Sequence, residues 1–120
     1  MPTSVPEEQA PAVILVKAYD HVLWSVQKAE KFPRSFRFSV GERIVQGSLD
    51  LLLTLVDATY SRDKAPLLAR ANRELNALRY LFRLAKDLKL VSNDAWAFSA
   101  ERLDELGRMT GGWLKAARRP

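Results

Sequence analysis

The chain has 120 residues, 48% of them hydrophobic and only five of them glycine, which is the length and composition of one domain around one core. It contains no cysteine and a single histidine, so disulfides, thiolate catalysis and cysteine-ligated metals are excluded. The formal charge of +5 is concentrated between Lys64 and Lys89, where seven basic residues face two acids, an excess equal to that of the whole chain.

Residues 1–11, MPTSVPEEQAP, hold three prolines and little to bury, and are expected to form a disordered leader. No apolar run approaches the roughly 20 residues of a bilayer span, and the N-terminus lacks a basic-then-apolar signal pattern, so a soluble, cytoplasmic protein without membrane association is expected. The first helix is predicted from about Ala12 to Lys31, on the spacing of Leu15, Ala18, Tyr19, Val22, Val26 and Ala29. His21 and Trp24 fall on its polar side. A tryptophan there either anchors a partner or covers the seam between helices.

Phe32-Pro33 stops this helix. The stretch FPRSFRF (Phe32–Phe38) alternates aromatic rings with arginines, as a single-strand nucleic-acid platform does. It is followed by Ser39-Val40-Gly41-Glu42, the spacing of a capping box. The stretch is therefore read first as a corner, with Phe36 and Phe38 packed beneath it and Arg34 and Arg37 facing solvent.

The second helix is predicted from Ser39 to about Tyr60. Glu42, Arg43, Gln46, Asp50, Thr54 and Asp57 form its polar arc, and Val40, Ile44, Leu51, Leu55 and Ala58 suffice for a core face. Val45, Leu49, Leu52 and Val56 are then left over. After a turn at Ser61-Arg62-Asp63, a third helix with Pro66 in its first turn runs to about Lys89. It places Leu75, Leu78, Phe82 and Ala85 on one side and Leu81, Leu84 and Leu88 on another. Exposing both surplus stripes would be costly, which predicts a homo-oligomer or an obligate partner, with these residues and Trp24 as the candidate interface.

Ser92 or Asn93 is expected to cap a fourth helix ending near Ala117, followed by a basic tail at 118–120. Gly111 and Gly112 inside it cost on the order of 1 kcal/mol each relative to alanine, which predicts an offsetting close approach of a backbone or a bulky ring. Gly107 and Gly111, with Ala100 and Leu103, are read as a flat strip for tight packing. Four helices joined by short loops, without a convincing strand, give an all-α, antiparallel up-down four-helix bundle over residues 12–117.

Catalysis has little to work with. The one histidine has none of the Glu-x-x-His spacing of a di-iron bundle, a Ser-His-Asp triad would have to recruit that same His21, and no phosphate-binding glycine motif is present. The chain is read as non-catalytic, with no cofactor and no metal site. Arg79, Arg83 and Lys86, at i, i+4 and i+7, form a basic ridge on the third helix that could follow a phosphate backbone, or serve only as a solvated face. Arg34, Arg37 and Arg43 make a second candidate cluster near the first corner. A localised basic surface suits a polyanion, an acidic partner protein or simple solubility.

The string Phe32-Pro33-Arg34-Ser35-Phe36-Arg37-Phe38-Ser39-Val40-Gly41-Glu42-Arg43-Ile44, with Arg83-Leu84-Ala85-Lys86-Asp87-Leu88 and Gly111-Gly112-Trp113-Leu114, resembles the accessory variability determinant (Avd) proteins of diversity-generating retroelements of bacteria and phages. The wider relatives are four-helix-bundle proteins encoded in ribosomal-RNA intervening sequences. The likeness covers about residues 12 to 116. It implies a ring-shaped homopentamer that binds DNA or RNA and associates with the retroelement's reverse transcriptase during mutagenic copying, without being an enzyme. The alternative is a structural interaction bundle of the intervening-sequence type, without a direct nucleic-acid role.

Overall fold

The computed structural model describes residues 10–119, which form four long helices and no strand. The expected leader lies outside the described residues except at Ala10 and Pro11, which belong to the first helix, and Pro120 also lies outside them. Helix α1 spans Ala10–Glu30, α2 is a single turn at Arg34–Phe36, α3 spans Glu42–Tyr60, α4 Ala65–Asp87 and α5 Asn93–Ala117. α1 packs against α3 and α5, and α4 packs against the same two, so the long helices close around one core. Among the described residues no helix is long and apolar enough to cross a membrane.

The core face of α1 is Ile14, Ala18, His21, Ser25 and Ala29, followed by Phe32. Of the face that counting apolar residues selected, Ala18 and Ala29 are buried and Leu15, Val22 and Val26 half-buried, but Tyr19 is 55% exposed, and His21, expected on the polar side, is buried. The reason is a chain of polar groups that satisfy one another. His21 Nε2 lies 3.3 Å from Ser99 Oγ of α5, and His21 Nδ1 lies 3.3 Å from Ser25 Oγ. Ser25 Oγ is 3.2 Å from Ser48 Oγ of α3, which in turn is 2.9 Å from the Ile44 carbonyl. That carbonyl can only accept, so the single Ser48 hydroxyl proton points to it and Ser25 donates to Ser48. Ser25 must then accept from Nδ1–H, and Nε2 accepts from Ser99. One tautomer satisfies every hydroxyl in the chain, which is what burial demands. Burial also pushes the His21 pKa down to about 4, because a charged imidazole would lose its hydration there. The Ser-His pairs are sealed from solvent and include no carboxylate, so they form a structural seam among α1, α3 and α5.

The junction after α1 also departs from expectation. Lys31 and Phe32 bond back to the Lys28 and Ala29 carbonyls, both at 3.1 Å, and Pro33 then stands extended at the N-cap of α2, where its missing N–H leaves no bond unmade. A new helix therefore begins at Arg34, passes through a π-helical turn at Arg37–Gly41, and continues into α3. Ser39 lies inside this run and donates to the Phe36 carbonyl at 3.4 Å instead of capping a helix, so the capping box does not form. Phe32 is the ring buried at the corner. Phe36 is half-buried and Phe38 is 73% exposed, contrary to the expected packing. A Cβ at Gly41 would meet the Phe32 ring at 3.2 Å and the Phe36 carbonyl at 3.3 Å, which explains the glycine.

α3 buries Ile44, Ser48, Leu51, Leu55 and Ala58, together with Thr54, which interrupts the expected polar arc. Its C-terminus is closed by Lys64, whose Nζ donates to the carbonyls of Ala58 (2.8 Å), Thr59 (3.2 Å) and Ser61 (2.8 Å). α4 buries Leu68, Ala71, Leu75, Leu78, Phe82 and Ala85. It ends in a Schellman motif: Leu90 N bonds Ala85 O at 2.8 Å, Lys89 N bonds Lys86 O at 2.9 Å, and Lys89 takes the left-handed conformation at φ 61°. Ser92 caps α5, accepting from Ala95 N at 3.0 Å, as expected.

Candidate nucleic-acid interface

The spacing of Arg79, Arg83 and Lys86 does align them along α4, on the side that meets α5, but they are not three equivalent free cations. Arg79 lies across α5: it pairs with Asp104 at 3.3 Å and donates to the Leu103 carbonyl at 3.4 Å. Its guanidinium occupies the space over Gly107, where a Cβ would stand 2.8 Å from Nη2. Gly107 thus makes room for an arginine and is not part of a flat packing strip. A Cβ at Gly111 or at Gly112 would have nothing within 4 Å, so the close approach expected at those glycines is absent among the described residues. Lys86 holds its ammonium 4.1 Å over the Trp96 ring of α5 and lies 3.9 Å from Asp87. Arg83 is exposed, with no carboxylate within 4 Å among the described residues.

Between these residues α4 and α5 leave a cleft of about 370 Å³. Its walls are Asn76, Tyr80, Arg83 and Trp96, with the Arg79–Asp104 pair at one side and Phe82 beneath. Asp104 offsets Arg79, so Arg83 is the uncompensated charge of the cleft. Tyr80 is 73% exposed and Trp96 is half-buried against the core. Neither ring was singled out from sequence, although Arg79-Tyr80-Leu81-Phe82-Arg83 carries the same interleaving of rings and arginines that stood out in FPRSFRF.

The second arginine cluster lies elsewhere, on α2, the π turn and the start of α3. Arg34 and Arg43 are exposed, while Arg37 donates to the Phe32 carbonyl at 3.5 Å and borders a shallow groove of about 340 Å³ with Phe38, Gly41 and Val45. The surplus stripes are divided. Val45, Leu49, Leu52, Val56 and Leu81 are half-buried, Leu52 and Leu81 against the core, whereas Leu84 and Leu88 remain 44% and 40% exposed. Trp24 is half-buried, its ring 5.5 Å from that of Phe82 and 5.4 Å from that of Phe98, so it covers the seam of α1 with α4 and α5. Among the described residues no group of acidic or histidine side chains is placed to hold a metal ion.

A solved structure of a protein of unknown function from the S23 ribosomal protein family of Bacteroides thetaiotaomicron has the same fold, with a TM-score of 0.83 at 14% identity over 92% of this chain and 99% of that one. No curated protein matches by sequence. The model of the bAvd-like family matches residues 12–117, nearly the whole described chain, and the protein belongs to that family of Avd-type accessory proteins.

Proposed function

We propose that the protein is a non-catalytic, oligomeric, nucleic-acid-binding accessory of a retroelement reverse transcriptase, acting in the mutagenic copying that generates diversity. Family membership supports the accessory role. The observation that carries the nucleic-acid reading is the uncompensated Arg83 lining one cleft with Tyr80 and Trp96, within the segment that holds the chain's excess charge. Arg34, Arg37 and Arg43 supply a second basic surface, which copies brought together in a ring would multiply. Leu84 and Leu88, with the half-buried Val45, Leu49 and Val56, support self-association, and a homopentamer is the expected assembly.

Reversing Arg79 or Lys86 would disturb the α4–α5 packing as well as any phosphate binding, so Arg83→Glu and an Arg34/Arg43→Glu pair are the cleaner variants. DNA, RNA and hybrid binding measured against salt should weaken, with the slope of log K against log salt falling by roughly 0.9 for each duplex phosphate that the variant no longer neutralises. Unchanged affinity and slope would remove these arginines from the role. Light scattering reads the subunit number, and co-purification with a co-expressed retroelement reverse transcriptase reads the association.

A further inference from the structure

We propose that the α4–α5 cleft is a single-base site: it takes one unpaired nucleobase of a single-stranded nucleic acid, with the base against Tyr80 and Trp96 and a flanking phosphate on Arg83. This rests on the nucleic-acid reading above and makes it specific.

Its size comes first. At about 370 Å³ the cleft is at the small end of the roughly 300–1,000 Å³ range of small-molecule sites, room for one nucleotide but not for a helix or a folded element. Its composition comes second. A surface that only tracked phosphates would offer several free cations, whereas here Arg79 is engaged by Asp104 and Leu103, Lys86 lies over Trp96, and of the three Arg83 alone is free among the described residues. One free cation beside two aromatic rings matches the make-up of one nucleotide. Tyr80 is left 73% exposed, where stacking would cover it, while Trp96, half-buried with Lys86 over its ring, lines the wall. The Asn76 amide at the wall can both donate to and accept from a base edge. A base inside a duplex is already stacked on both faces and cannot enter without being extruded, so the site selects single strands.

The test uses the full chain and fluorescently labelled single strands of equal length at fixed salt, base-bearing or abasic, with the matching duplex and a free mononucleotide as controls. The variants are Tyr80→Ala and Tyr80→Phe; Tyr80 is exposed, so neither touches the core, and thermal melts verify this. The expected result is that abasic strands bind the unaltered protein more weakly by roughly five- to 150-fold. Tyr80→Ala should lose a similar factor on base-bearing strands and stop distinguishing them from abasic ones, Tyr80→Phe should retain the distinction, and duplex binding should not depend on Tyr80. Equal binding of abasic and base-bearing strands, both still salt-dependent, overturns the base site and leaves the nucleic-acid reading standing. Loss of all salt-dependent binding overturns both. A free mononucleotide that competes as well as the strand overturns the strand as occupant, and loss of reverse-transcriptase capture by Tyr80→Ala with strand binding intact makes the cleft a protein-docking site instead.

Discussion

Arg79 of α4 and Gly107 of α5 occupy one space: the guanidinium lies where the β-carbon of any other residue at 107 would be, 2.8 Å from Nη2. Gly107→Ala should therefore displace Arg79 from Asp104 and the Leu103 carbonyl. The gain in helix propensity, about 1 kcal/mol, would be reduced or cancelled by that loss. In an Arg79→Ala background the same change should stabilise by the full increment. Urea unfolding of the four proteins of this double-mutant cycle measures the coupling, and an equal effect of Gly107→Ala in both backgrounds would show that the two residues do not compete.

Stability should fall in mild acid because of His21. Its pKa is about 4 in the fold against 6.5 for an unperturbed imidazole. Below pH 6.5 the unfolded chain takes up a proton that the native state does not, so stability declines as pH falls through this window and levels off near pH 4. Integrated over the shift, the loss is about 3 kcal/mol. Glu105, held below its usual range chiefly by its hydrogen bond from Lys17, begins to lose its contribution only below pH 4.5, beneath most of the His21 window. Denaturation midpoints at pH 7 and pH 4.5 should differ markedly for the unaltered protein and much less for His21→Asn. Equal pH dependence of both would refute the assignment.

Lys64 closes the C-terminus of α3 with three carbonyl bonds, the role a glycine-based cap more often plays. Lys64→Met keeps much of the stem and removes the donors, and should cost about 1–3 kcal/mol. Amide exchange should accelerate in the last turn of α3 before anywhere else. Uniform acceleration across the chain would point to a global effect instead.

At the end of α4, Lys89 holds a left-handed backbone conformation that costs an L-residue roughly 1–2 kcal/mol. Lys89→Gly should raise stability by about 0.5–1 kcal/mol, the remainder being lost to the greater freedom of glycine in the unfolded chain. Lys89→Val should lower it. Thermal melts of the pair give the sign directly.

How far the sequence reveals this fold depends on the kind of signal. The bodies of α3, α4 and α5 follow from apolar spacing, from Pro66 in a first turn and from Ser92 as a cap, because each signal acts locally. α1 misled because its core face contains His21 and Ser25, polar residues whose partners lie 78 and 23 positions away. Serine followed three residues later by glutamate suggested a helix start at Ser39, but Pro33 had already started one, and a cap has no function inside a continuous helix. The basic ridge was legible as spacing. What spacing omits is which cations the neighbouring helix engages, and therefore that Arg83 is the one of the three left free beside Tyr80.

The polar chain through the core also bears on how the helices are aligned lengthwise. Apolar side chains interdigitate at several heights, and a helix can slide by one turn at modest loss. Such a slide of α1 would take His21 from Ser99 and Ser25 from Ser48 together, leaving buried donors unmatched at about 1–3 kcal/mol apiece. The vertical offset of three helices is thereby set by hydrogen bonds. The height at which α5 presents Trp96 to the cleft is fixed relative to α1 and α3 by a histidine and three serines buried in the core.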